Sequence, residues 1–202
     1  MAKILISTVY GPDPVLLACT KISPNKLILL VTEKQDSTIK NSLNLIKNSL
    51  GRVLDVEIVK IHEYNIIEIA ERVVKIIDEI DFENEIIINI TSGRKTQSMG
   101  VLFGAFARNT HIKKIAYYPD GEGKGTAIYL PVLSMKLSES KTKLLDSIYS
   151  KKIQSYKSLS EETGLSSAMV YRAIDELLKE GLVEKTKDEG IILTDAGRIA
   201  RL

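Results

Sequence analysis

The sequence predicts an α/β protein: a Rossmann-like, mostly parallel sheet with helices on both faces, followed by a smaller helical unit that closes on a hairpin. Three observations carry this. Up to about residue 133, short β-branched runs alternate with longer segments of helical periodicity. The run "EIIINI" (85–90) places isoleucine on both faces, as a strand covered on both sides requires. At "SMKLSES" (134–140) the rhythm changes to helices.

The elements follow in order. "KILISTVY" (3–10) reads as a strand, and "PDPVLLACTKI" as a helix opened by prolines. "KLILLVT" (26–32) is a strand, and "STIKNSLNLIKNSLG" a helix stopped at Gly51. "VLDVEIVKI" (53–61) is a strand, and "IIEIAERVVKIIDEI" (66–80) a helix. "EIIINI" leads into an apolar helix over 93–109. "KIAYYP" (114–119), a turn with Gly121, Gly123 and Gly125, and "AIYLPVL" (127–133) make an antiparallel edge hairpin. In the second unit "KTKLLDSIYS" is a helix, and "SLSEETGL" a short helix with Ser158 as cap and Glu161 three residues on. "SSAMVYRAIDELLKEG" is a longer helix with Val170, Ile174, Leu177 and Leu178 inward. "LVEKTKDEGIIL" is a hairpin turning at Asp188, Glu189 and Gly190, and "TDAGRIARL" a helix capped by Thr194. The expected domains are 1–133, a linker at 134–140, and 141–202.

The whole chain sets bounds. It has 202 residues, 44% of them hydrophobic, and a formal charge of only +2, so composition alone names no polyanionic partner. The single cysteine, Cys19, lies in an apolar stretch and reads as a buried side chain. No segment reaches the roughly 20 apolar residues of a membrane span, and the first residues are too short for a signal core. The expectation is a soluble cytoplasmic protein with no membrane partner.

The stretch "NITSGRKTQS" (89–98) holds the chemistry. In a sheet of order 3-2-1-4-5, strands one and four flank the reversal where ligands bind. The loops beyond them, "TVYGPD" (8–13) and "TSGRKT" (91–96), are rich in small and polar residues. The second opens a helix whose first amides lack internal partners. Thr91 and Ser92 offer hydroxyls, Gly93 admits close approach, and Arg94 and Lys95 add charge. The residues describe an anion cradle for phosphates; they equally describe Ser92 capping a helix beside two exposed cations. Thr8, Tyr10, Gly11 and Gln97 complete the candidate ligand set. The stretch is not a Walker loop, and no GxGxxG follows strand one.

"NITSGRKTQ" resembles the Asn-x-Thr-Gly-Gly-Thr-Lys-x-Met signature of CRISPR-associated Rossmann-fold (CARF) domains. Asn89, Thr91, Gly93 and Lys95 match; Ser92, Arg94 and Gln97 replace glycine, threonine and methionine. The resemblance implies a homodimer that binds a cyclic oligoadenylate, often cyclic tetra-adenylate, across its two-fold axis. That effector is the one ligand expected, and no cofactor accompanies it. Gly100 and Gly104 lie on one helix face near Phe103 and Phe106. That spacing suits either a close helix approach between subunits or packing against the chain's own sheet.

Three helices and a hairpin in about 60 residues make the plan of a winged helix-turn-helix. The second unit resembles the winged regulators of bacteria and archaea. Gly164 falls at the turn, and Ala168, Tyr171, Arg172 and Asp175 face outward. Ser166, Ser167, Ala168, Met169, Tyr171 and Arg172, with Lys185 and Lys187 of the wing, are the candidate DNA contacts. Lys151, Lys152 and Lys157 flank the short helix. Eleven basic residues against ten acidic ones from Lys141 onward leave this unit nearly neutral, so Asp175, Glu176, Glu180, Asp188 and Glu189 must face away from a duplex.

Enzyme signatures are lacking. His62 and His111 sit at a strand end and in a loop. No His/Cys/Asp cluster has metal spacing, no G-x-S-x-G elbow occurs, and no Arg-x-x-x-x-His pair marks a nuclease. The chain therefore reads as a CRISPR-associated transcription regulator, not an enzyme. Two alternatives stand beside it. Some CARF domains cleave the ring they bind, which Ser92, Arg94 and Lys95 would support here, and some winged domains bind proteins instead of DNA.

Overall fold

The computed structural model describes residues 1–119, 125–134, 137–153, 155–186 and 190–202. Turn residues Gly121 and Gly123 and wing residues Lys187, Asp188 and Glu189 lie outside the described residues. The chain divides into two compact units, Met1–Ser134 and Met135–Leu202.

The first unit is a six-stranded sheet of order β3-β2-β1-β4-β5-β6. Its strands are β1 (Lys3–Thr8), β2 (Lys26–Thr32), β3 (Asp55–Ile61), β4 (Glu85–Asn89), β5 (Ile112–Tyr117) and β6 (Ile128–Leu130). The first five are parallel, and β6 pairs antiparallel with β5. The interleaved helices are α1 (Asp13–Ile22), α2 (Ser37–Leu50), α3 (Ile66–Asp78) and α4 (Lys95–Ala107). Alternation along β1 builds two cores. Ile4 and Ile6 join Ile69, Val73, Ile77 and Val101 from α3 and α4 on one face. Leu5 and Val9 join Val15, Ala18, Ile39 and Leu43 from α1 and α2 on the other. Each parallel crossover thus buries its helix on one face of a sheet that has no wet side at its centre.

Several expectations shift. β3 starts at Asp55, α4 at Lys95, and β6 is only three residues long. Gly51 does stop α2 as expected, with right-handed backbone, φ −66°. Gly100 and Gly104 face α3. A Cβ on Gly100 would stand 2.6 Å from Ile69, and one on Gly104 2.7 Å from Val73. Both glycines let α4 settle on α3. The apolar neighbours on α3 come from a different stretch of chain, so helix spacing alone did not point to them.

The second unit holds α5 (Glu139–Lys151), α6 (Tyr156–Thr163), α7 (Ser167–Lys179), the hairpin β7 (Val183–Thr186) and β8 (Gly190–Leu193), and α8 (Asp195–Ala200). Its core is built from Leu144, Leu145, Ile148, Leu159, Val170, Ile174, Leu177, Val183 and Ile191. Ser158 does not cap α6. The helix starts three residues earlier, and the Ser155 hydroxyl accepts from the Ser158 amide. Leu159 then falls on the buried face, which fixes the register. Thr194 caps α8, accepting from Gly197 at 3.1 Å.

Candidate functional site

The ends of β1 and β4 are locked together by buried polar side chains. Asn89, fully buried, donates from Nδ2 to Ser7 Oγ at 3.0 Å and to the Pro14 carbonyl at 3.4 Å. Its Oδ1 accepts from the Thr91 hydroxyl at 2.6 Å and the Thr91 amide at 3.2 Å. Thr91 Oγ1 in turn accepts from the Tyr118 amide at 2.9 Å. One side chain therefore ties β4 to β1, to the start of α1 and, through Thr91, to the end of β5. Most buried polar groups in folded proteins are paired in this way.

Ser92 is not a helix cap. Its Oγ accepts from the amides of Tyr10 (2.8 Å) and Gly11 (3.2 Å), while Thr8 Oγ1 donates to the Ser92 carbonyl. The Tyr10 carbonyl accepts from Ser42 Oγ on α2 at 2.9 Å. The two loops at the strand-order reversal are thus one braced unit. Gly93 has φ +88°, and a Cβ there would meet Gln97 Oε1 at 2.8 Å and Thr8 Cβ at 3.1 Å. Only glycine fits, on both conformational and steric grounds. Gln97 replaces the expected cap: its Oε1 accepts from the Arg94 amide at 2.8 Å. Gln97 is buried, and its Nε2 has no hydrogen-bond partner among the described residues.

The candidate ligand residues therefore divide. Thr8, Thr91, Ser92 and Gln97 are buried or partly buried and spend their side-chain oxygens inside the protein. Tyr10, Gly93, Arg94 and Lys95 line the surface beside the first turn of α4, whose amides have no carbonyls within the helix to bond. A Cβ at Gly11 would meet nothing within 4 Å, so the backbone there is open. Lys95 is exposed and makes no ion pair among the described residues. Arg94 is different: its Nη2 lies 2.7 Å from Glu63 Oε1, and the guanidinium sits 5.3 Å from the Tyr64 ring centre. Sequence reading missed Ser42, Glu63, Tyr64 and Tyr118, all distant in the chain and placed only by the fold. Asn89 carried a signal, since it belongs to the matched signature, but its bracing role is tertiary.

The second unit presents a separate polar surface. Gly164 takes φ +69° at the turn between α6 and α7, and Ser166 caps α7 by accepting from the Met169 amide at 3.3 Å. Ser167, Ala168, Met169, Tyr171 and Arg172 are exposed along the first turns of α7. Tyr171 stacks on Tyr156 with ring centres 4.2 Å apart, and Lys185 Nζ lies 5.4 Å from the Tyr156 ring centre. The neighbouring Tyr156 raises the Lys185 pKa, so the lysine stays charged. The acids are neutralised in pairs: Asp175 with Lys179 at 2.7 Å, Glu180 with Lys141 at 2.6 Å, and Glu176 with both Lys141 (3.2 Å) and Arg172 (3.1 Å). Lys141, and then Arg172, hold the Glu176 carboxyl below its usual range. The acids lie on the C-terminal half of α7 and just beyond it, while Arg172, a candidate DNA contact, is itself paired with Glu176. Lys151 is paired with Glu162.

The remaining titratable candidates are structural. His62 Nδ1 accepts from the amides of Tyr64 (3.1 Å) and Asn65 (2.9 Å). His111 meets Phe82 edge-to-face. Burial pushes the Cys19 thiol up to about 11. Among the described residues no group of three His, Cys, Asp or Glu side chains is placed to hold a metal ion, and no helix is long and apolar enough to cross a membrane.

Comparison with known proteins places these features. Residues 5–123 match the family model described as "HFX_2341_N:-like, N-terminal". The chain belongs to that family. Residues 137–190 match the MarR family, so the second unit of this family member is a MarR winged-helix domain. Among solved structures the fold is similar to that of Enterococcus italicus Csm6 bound to cyclic hexa-2'-fluoro-hexa-dAMP. The TM-score is 0.55 at 12% identity, over 90% of this chain and 55% of that one. It is also similar to protein VC1899 from Vibrio cholerae, with TM-score 0.52 at 9% identity, over 98% and 63%. A third match is Can2 from Sulfobacillus thermosulfidooxidans in complex with cyclic tetra-adenylate, with TM-score 0.49 at 15% identity, over 98% and 62%. No curated protein matches the sequence. The chain spans about three fifths of the length of these structures, and identities this low show the fold alone. The N-terminal unit shares its fold with these structures, and a MarR winged-helix domain follows it.

Proposed function

We propose that this chain is a homodimeric, CRISPR-associated transcription regulator whose N-terminal unit binds a cyclic oligoadenylate and whose MarR domain binds duplex DNA. One observation carries the reading. The loops beyond β1 and β4 are braced into a rigid corner at the strand-order reversal, where Gly93, Lys95 and the first amides of α4 stand open to an anion. In this reading Tyr10, Gly11, Gly93, Arg94 and Lys95 touch the ligand. Thr8, Thr91, Ser92 and Gln97 hold the shape. The exposed face of α4, with Met99 and part-buried Phe103 beside the corner, supplies apolar surface for a second copy.

On the DNA side, the N-terminal end of α7 enters the major groove, with Ser166, Ser167, Ala168, Met169, Tyr171 and Arg172 toward the duplex. Lys185 joins from the wing, and Lys187 is the further candidate there. Ring cleavage is the weaker reading, because the hydroxyls of the corner are engaged in internal bonds. The deciding experiment is calorimetry with a panel of cyclic oligoadenylates on wild type and Lys95→Ala. One ring per dimer is expected, with at least tenfold weaker binding after the substitution. Labelled ring recovered intact after incubation supports binding without cleavage. Absence of binding to every ring sinks the sensor.

A further inference from the structure

β3 lies at the far edge of the sheet from β4, yet its loop (62–65) reaches the corner. It arrives there because α3, which this loop opens, packs on α4 through Gly100 and Gly104. Three sets of bonds hold the loop. His62 Nδ1 accepts two backbone amides, Asn65 caps α3 through Oδ1, and Thr96 Oγ1 on α4 donates to the Glu63 carbonyl at 2.9 Å. The Glu63 carboxylate is thereby delivered to Arg94 Nη2 at 2.7 Å, with Tyr64 under the guanidinium. The group best suited to grip a phosphate is already gripped by an internal anion.

We propose that Glu63 is a built-in competitor that sets a charge threshold for the corner. This rests on the corner being an anion site, as read above. A ligand with a single phosphate must displace the carboxylate and gains only an exchange of one anion for another. A ligand with several phosphates also engages Lys95 and the first amides of α4, so it wins the exchange. The pair is about a third exposed, with side-chain exposures of 45% and 26%, so it is weak enough to open. Gln97 Nε2, beside this corner, is a buried donor without a partner among the described residues. Glu63 thus selects against mononucleotides without touching the ligand, and Tyr64 keeps the released guanidinium over the corner.

The test titrates the full chain with AMP, tripolyphosphate and cyclic tetra-adenylate, using wild type, Glu63→Gln, Arg94→Ala and the double variant. Glu63→Gln is expected to tighten AMP about two- to fivefold, the range an exposed ion pair of this kind supports. It is expected to tighten the polyphosphates less, and to do neither in the Arg94→Ala background. An unchanged ratio of AMP to tripolyphosphate affinity, or an equal gain in the absence of Arg94, overturns the threshold. Failure of the sensor reading looks different. If tripolyphosphate binds and responds as described while cyclic tetra-adenylate does not bind, the threshold stands and the ligand assignment falls. If no anion binds any of the four proteins, both fall.

Discussion

At the scale of single residues, Ser92 shows how a departure from a family pattern acquires a role. Where the signature has glycine, this chain has a hydroxyl that accepts two amides from the loop after β1. Ser92→Ala leaves both amides without that acceptor in a partly buried setting, at a cost of about 1–3 kcal/mol. Urea unfolding should show it, and a loss below about 0.5 kcal/mol would mean that water replaces the hydroxyl without penalty. Cys19 offers a second check. Its thiol titrates near 11 because burial disfavours the thiolate, so at pH 8 it is almost wholly protonated and also shielded. Ellman labelling of the native chain at pH 8 should be slow and should accelerate sharply in denaturant. Fast native labelling would show that the α1–sheet core opens readily.

At the scale of elements, the α3–α4 contact matters most, because it carries the Glu63 loop to the corner. Gly104→Val would drive branched carbons into Val73 and the Ala70 carbonyl, 2.7 and 2.9 Å from the first added atom. Overpacking of this kind costs about 1–3 kcal/mol or more. The thermal midpoint should fall, with weakened anion binding as a consequence. An unchanged midpoint combined with lost self-association, seen by sedimentation, would return this face to the dimer. In the MarR domain, α7 is held by Tyr171 stacked on Tyr156 and by the Lys141 pairs with Glu176 and Glu180. Tyr171→Ala and Lys185→Ala should each weaken duplex binding, and the double variant with Tyr156→Ala should be less than additive, because the three groups act as one column. Full additivity in gel-shift titrations would show that they contact DNA separately.

At the scale of the whole molecule, the near-neutral charge of the MarR domain is resolved by pairing. The acids on α7 are engaged with Lys141, Arg172 and Lys179, so they do not oppose a duplex at the N-terminal end. Duplex affinity should fall linearly on a log–log plot against salt, with a slope that reports the phosphates contacted by the assembly. A flat salt dependence would favour a protein partner. In the proposed dimer, a ring bound to the first unit could change DNA affinity only by preferring one arrangement of the paired MarR domains. Saturating ligand should therefore shift the duplex dissociation constant, and the duplex should shift ligand affinity by the same factor. Equal affinities with and without ligand would separate the two units functionally.

The sequence alone determined the two-part architecture, because hydrophobic period is a local property: period two in strands, 3.6 in helices, and a change of rhythm near residue 134. It also located the polar corner, since a strand that ends in hydroxyls, glycine and cations is legible in ten residues. The tertiary structure decided which of those groups face outward. Ser92 turned inward because its partners, the amides of Tyr10 and Gly11, come within reach only once the two loops are assembled, and the Tyr118 amide reaches Thr91 only across the sheet; Gln97 bonds locally to the Arg94 amide. Gly100 and Gly104 found α3, and Glu63 found Arg94, because pairings across tens of residues depend on strand order and helix packing, which no local pattern encodes.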